Sequence, residues 1–206
     1  MQVLALATTA LSQGPGFSAA GSDLLRSKSF DSNSFDSGDW FNAIHWDCTS
    51  GNGFAQGLPP AASNQAKWPF MQPLLANPAL KPDCATENAA SAAYQDLLRI
   101  KQSSPLFALG TSAAVQANLS YPLSGSTETP GVITLRLGSG AKSMTVVFNA
   151  TPNAQSQAVA ALAGTKQALD PIQANGSDSV VKASAFDTAT GTFTVPARSV
   201  AVFVQS

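Results

Sequence analysis

Beyond Pro105 the chain is written in short strands, and this change of period constrains its fold more than any other feature. Residues 131–137, GVITLRL, alternate apolar and polar side chains, and residues 143–150, SMTVVFNA, are rich in β-formers. Residues 191–205, GTFTVPARSVAVFVQ, read as two strands around Pro196, because proline has no N–H to give to a ladder. Gly, Asn and Pro recur between these runs as turn signals. Several short strands at this spacing predict an antiparallel β-sandwich over residues 107–206.

The first half has a different grammar. Residues 2–12, QVLALATTALS, place apolar side chains on nearly every face, as in a buried helix, and Gln13-Gly14-Pro15-Gly16 ends it. The following FSAAG, residues 17–21, is expected to be a short buried strand with small side chains. Residues 86–102, TENAASAAYQDLLRIKQ, carry an apolar stripe at helical spacing, with Thr86 and Asn88 as expected caps and Ser103-Ser104-Pro105 as the stop. From Ser22 to Pro82 no period is sustained; a loop of this length in a compact protein is usually functional. The class expected is α+β, divided as residues 1–106 and 107–206.

Charge excludes two partner classes. The 206 residues hold 11 Lys+Arg against 12 Asp+Glu, for a net charge of −1, and no basic run exists to track phosphates or an anionic bilayer. Neither nucleic acid nor a membrane surface is an expected partner. No apolar stretch approaches the ~20 residues of a spanning helix. Met1 to Leu11 is apolar but lacks the basic flank of a signal peptide. Only 11% of residues are charged, so neutral hydrogen-bonding groups dominate the polar surface, which suits neutral polar ligands such as sugars. Cys48 and Cys84 are too few and too far apart for a zinc site; they are either one disulfide or two buried thiols.

Residues 29–42, SFDSNSFDSGDWFN, concentrate the candidate chemistry. Asp31, Asn33, Asp36 and Asp39 form an oxygen-rich series that invites Ca²⁺, which takes six to eight hard oxygen ligands. The series departs from the EF-hand pattern, with Phe35 at the fifth position and Asn42 at the twelfth. The competing reading is Asx-turn chemistry, in which Asp and Ser side chains bond nearby backbone amides. His45 is the sole histidine, and no G-x-S-x-G elbow exists, so a Ser-His-Asp hydrolase is not indicated. Trp46 could stack on a sugar ring, whereas Trp68, in KWPFMQPLL, reads as core.

Five ordered blocks carry a family resemblance: LLRSKSFDSNSFDSGDWFN (24–42), LPPAASNQAKWPFMQPLLANPALKP (58–82), LLRIKQSSPLF (97–107), TVVFNATP (145–152) and GTFTVPARSVAVFV (191–204). Together they resemble the C-terminal part of type I pullulanases, bacterial starch-debranching α-1,6-glucosidases of the α-amylase superfamily. The resemblance implies the remnant of the end of a (β/α)8 barrel, followed by an antiparallel β-sandwich. It further implies that the family's nucleophilic Asp, acid/base Glu and transition-state-stabilising Asp all lie upstream, so that no catalytic carboxylate is expected here. Glycoside hydrolysis needs two facing carboxyl groups, and a partial barrel leaves its sheet unclosed.

By the same resemblance, the loop of residues 29–42 borders the glycone side of the substrate cleft. Asp31 is then the expected sugar contact, Arg26 and Asp23 its supports, and Trp40-Phe41 the loop's anchor. The implied partners are α-glucan (pullulan, amylopectin) and either the missing part of the barrel or a second copy of the chain. Two departures stand out: residues 14–21 read Gly-Pro-Gly-Phe-Ser-Ala-Ala-Gly where the family reads G-I-P-F-F-H-A-G, and Ser32 stands where an Arg commonly follows the loop Asp. The alternative function is a free-standing hydrolase, with Ca²⁺-assisted ester or lactone hydrolysis at Asp31–Asp39.

Overall fold

The computed structural model describes residues 1–31, 33–48 and 57–205. The chain forms two compact units, one from residues 1–17 with 92 onward, the other from residues 18–91. Helix α5 (Cys84–Ser103) gives its first turns to the second unit and its remainder to the first. Its start is set by Asp83, whose Oδ1 accepts from the Thr86 N–H at 2.8 Å and the Thr86 hydroxyl at 2.6 Å. The cap is therefore Asp83 and not Thr86 or Asn88, because an N-cap carboxylate reaches the free amide three residues ahead.

The first unit is a mixed helix and antiparallel-sheet structure. Its larger sheet has the order β1-β2-β3-β8-β5 and its smaller one β4-β7-β6, every pairing antiparallel. The strands are β1 (Leu119–Ser120), β2 (Val132–Leu137), β3 (Met144–Asn149), β4 (Gln155–Ala158), β5 (Gln167–Leu169), β6 (Ala185–Asp187), β7 (Thr192–Val195) and β8 (Ser199–Gln205). The alternating runs of the sequence are thus β2, β3, β7 and β8.

Two apolar clusters sit on opposite faces of the larger sheet. On one face Leu135, Leu137, Met144, Val146, Val200 and Val202 pack with Leu4, Ala7 and Leu11 around helix α1 (Gln2–Ala10) and with Leu97 and Ile100 of α5. On the other, Val132, Val147, Ala201 and Phe203 meet Phe193 and Val195 of the smaller sheet. Strand β8 is apolar without interruption from Val200 to Val204 because it is central and covered on both faces. Asn149, fully buried, joins the sheets: its Nδ2 donates to the carbonyls of Asn153, Val195 and Pro196, and its Oδ1 accepts from the Thr151 N–H and hydroxyl. Two further helices are α6 (Ser112–Asn118), capped by Thr111, and α7 (Pro171–Ala174), capped by Asp170.

The second unit contains α2 (Asp39–Asn42), α3 (Ala61–Asn64) and α4 (Trp68–Ala76), with single 3₁₀ turns at Ser34–Asp36, Gln65–Lys67 and Pro78–Leu80. These helices are short because Gly38, Pro59-Pro60 and Pro78 interrupt them, which accounts for the absence of a sustained period. A disulfide joins Cys48 to Cys84, with Cα atoms 4.9 Å apart, and resolves the cysteine alternatives. FSAAG is not a strand. No ladder pairs with it among the described residues, and Phe17 is 87% exposed.

Candidate functional site

The site is assembled from the segment following Gly21. That glycine has φ +85°, and a Cβ there would meet Cδ of Arg26 at 2.8 Å, so the chain folds the arginine stem back over its own backbone. Arg26 then donates from Nε to the Ala43 carbonyl at 3.2 Å and from a guanidinium nitrogen to the Asn42 carbonyl. Lys28 Nζ donates to Asn42 Oδ1, and Asn42 Nδ2 donates to the Ser34 carbonyl at 2.7 Å and the Gly38 carbonyl at 3.1 Å. Asn42 is the hub that ties residues 26–28 to the 34–42 loop.

Asp31 lies half-buried within this frame. Its Oδ2 accepts from Ser37 Oγ at 2.5 Å; its Oδ1 accepts from the Asn33 N–H at 3.0 Å and from Asn64 Nδ2 at 3.2 Å. Burial pushes its carboxyl pKa up, but those donors and the Lys28 charge outweigh burial and hold it below the ordinary carboxylate value. A carboxylate has about four acceptor positions, so three donors leave room for one hydroxyl from outside. Asn64 is 2% exposed, and its Oδ1 lacks any protein partner. Burial of an unanswered carbonyl costs about 1–3 kcal/mol.

The backbone leading into Asp31 is strained. Leu25, Ser29 and Phe30 have φ of +55°, +48° and +66°, a region that side chains with a Cβ rarely adopt. Two such residues in succession hold the Phe30 ring 39% exposed, edge-on to Phe70, which is 66% exposed, with centroids 6.2 Å apart. Strain of this kind collects where a particular side-chain presentation is required.

The other expected site residues are distributed differently. Asp23 accepts from Ser91 Oγ at 3.0 Å, pinning the segment to α5. Asp36 and Asp39 are exposed in the first turns of the 3₁₀ turn and of α2. Among the described residues no three His, Cys, Asp or Glu side chains gather into a group able to hold a metal, so Asp31, Asp36 and Asp39 do not converge on one point. The physical reason is that the Asn33 N–H and Ser37 hydroxyl close the Asp31 oxygens into an Asx turn, and Asn33 serves as a backbone donor. Trp40 does not anchor the loop: it is 58% exposed, and Phe41 alone is buried. Trp68 is half-buried, with its indole N–H on the Pro59 carbonyl at 2.9 Å; Trp46 is exposed and His45 half-buried beside it. Ser32 lies outside the described residues. Lys28, Asn42, Asn64 and the Phe30–Phe70 pair were not singled out from sequence; Asn64 is 33 residues from Asp31 and Phe70 about forty from Phe30, beyond any local pattern.

The fold is that of a mixed helix and antiparallel-sheet protein, with a multiply hydrogen-bonded carboxylate at Asp31 next in sequence to the exposed Phe30 ring. Residues 49–206 match the family described as α-1,6-glucosidases, pullulanase-type, C-terminal. Pullulanase 1, chloroplastic, of Arabidopsis thaliana is 39% identical over 98% of this chain and 22% of its own length; the Klebsiella pneumoniae pullulanase is 33% identical over 98% and 19%. The crystal structure of a maltotriose complex of PulA from Klebsiella pneumoniae superposes with a TM-score of 0.86 at 32% identity, over 98% of this chain and 22% of that one. The chain belongs to the pullulanase-type α-1,6-glucosidase C-terminal family. It spans about a fifth of the length of the relatives it matches.

Proposed function

We propose that this chain acts as the C-terminal part of an α-1,6-glucan debranching glycoside hydrolase, shaping one edge of the glucan cleft rather than supplying the catalytic carboxylates. On this reading residues 1–106 descend from the end of a (β/α)8 barrel and residues 107–206 from its companion β-sandwich. Asp31 accepts a hydrogen bond from a glucose hydroxyl, Arg26 and Asp23 position the loop, and the Phe30–Phe70 pair offers apolar surface to a pyranose ring. The observation that carries it is the half-buried Asp31 carboxylate: its pKa is held down by three donors, which leave one of its about four acceptor positions for a ligand hydroxyl.

The partners follow from chemistry. The maltotriose complex of the Klebsiella pneumoniae relative supports an α-glucan ligand. Phe17, Phe35, Trp40, Trp46 and Phe70 are large apolar side chains left exposed, which supports association with the remainder of a barrel or with a second copy. The test is titration of the chain with maltotriose, followed by the amide signals of Asn33 and Ser37. Saturable shifts that Asp31→Ala abolishes are expected; shifts that persist unchanged in Asp31→Ala would refute the assignment.

A further inference from the structure

We infer that the sheet-bearing unit carries a second, separate sugar site, in the pocket between residues 121–128 and strand β2. Strand β1 pairs with β2 only at Leu119↔Leu137 and Ser120↔Arg136, after which the chain leaves the ladder, so Val132–Thr134, paired with β3 on one side, have no strand on the other among the described residues. The gap is a pocket of about 320 Å³, at the lower end for small-ligand sites and sized for one or two pyranose rings. Tyr121 and Ile133, each 51% exposed, give it aromatic and aliphatic walls.

Polar groups complete the lining. Thr134, 4% exposed, closes the floor of the pocket; its hydroxyl is sealed from solvent and has no hydrogen-bond partner among the described residues. Glu128 and Ser124 supply a carboxylate and a hydroxyl at the rim. Among the described residues no Lys or Arg lines the pocket, which selects against anions such as phosphate. A neutral polyol with one apolar C–H face and a hydroxyl edge matches these walls: the tyrosine ring takes the face, and Ser124 and Glu128 take the edge. That the polyol is an α-glucan rests on the function proposed above; the pocket itself is distinct from the Asp31 loop.

The test is a maltotriose titration of the 206-residue chain, read from the amide signals of residues 121–134, with cellotriose as a control. Saturable shifts in that segment are expected for maltotriose. Tyr121→Ala and Glu128→Ala should each weaken the affinity read there by about two- to tenfold, with thermal melts verifying that both variants fold. Asp31→Ala should leave this segment's response intact. Shifts confined to the Asp31 loop, or affinities unchanged in both pocket variants, overturn the inference. Shifts at residues 121–134 with a silent Asp31 loop would uphold it and overturn the cleft-edge reading instead.

Discussion

Removing the Cys48–Cys84 disulfide should destabilise the unit that carries Asp31 by about 4 kcal/mol. The bond closes a loop with a sequence separation of 36, and the chain-entropy relation gives about 3 kcal/mol for 15 residues and about 4.7 for 100. The unit covers residues 18–91 and contains only short helices besides the start of α5, so its own core is modest. A unit of that size has a total stability on the order of 5 kcal/mol, and the loss leaves it marginal. Trp40, Trp46 and Trp68, all the tryptophans of the chain, lie in this unit, so indole fluorescence reports on it selectively. Urea unfolding of the oxidised chain should be compared with the Cys48→Ser/Cys84→Ser variant and with the chemically reduced chain. The fluorescence midpoint should fall by about 2 M or more, for a slope of about 1–2 kcal/mol per M. A shift below about 0.5 M with an unchanged slope would refute the argument that loop closure holds this unit together.

Asn149→Ala should cost about 3 kcal/mol or more in the sheet-bearing unit, since it strips partners from three carbonyls and from the Thr151 N–H at a buried position; urea unfolding followed by far-ultraviolet circular dichroism measures it. The Asp31 carboxyl has a pKa lowered in the folded state, so it contributes stability that is complete above the unfolded value of about 3.9 and lost as pH falls through the lower folded value. Amide exchange at Asn33 and Ser37 should therefore accelerate, relative to Asp31→Asn, only as pH falls below about 4; acceleration between pH 5 and 7 would contradict this sign.

Local chemistry was readable wherever the partners of a residue lie close in sequence. The Asx turn at Asp31 uses Asn33 and Ser37, two and six residues away, and its Asp-Ser-rich composition announces it. The aspartate series suggested calcium because spacing is visible in a sequence and direction is not: the Asp31 oxygens accept from the Asn33 N–H and the Ser37 hydroxyl, while Asp36 and Asp39 are exposed. Phe70 and Asn64 reach the loop from about forty and thirty residues away, and no period links them to it. Trp40 and Phe41 are adjacent, yet only Phe41 is buried, because a single helical turn sends neighbouring side chains to different sides.

Strands β2, β3 and β8 and helices α1 and α5 follow from the sequence alone, since each is long enough for its pattern to be read, and β7 follows from its run of Thr, Phe and Val. Strands β4, β5 and β6 do not: β5 and β6 have three residues each, and β4, although as long as β7, reads Gln-Ser-Gln-Ala without the alternating aromatic and β-branched residues of β7. Family membership was likewise legible, carried by ordered blocks spread over the chain. Tertiary structure alone decided that the two cysteines bond, that FSAAG stays outside any ladder, that Asn149 joins two sheets, and which side chains surround Asp31. Those outcomes depend on distances between residues remote in sequence, and such distances are set by how the apolar clusters close.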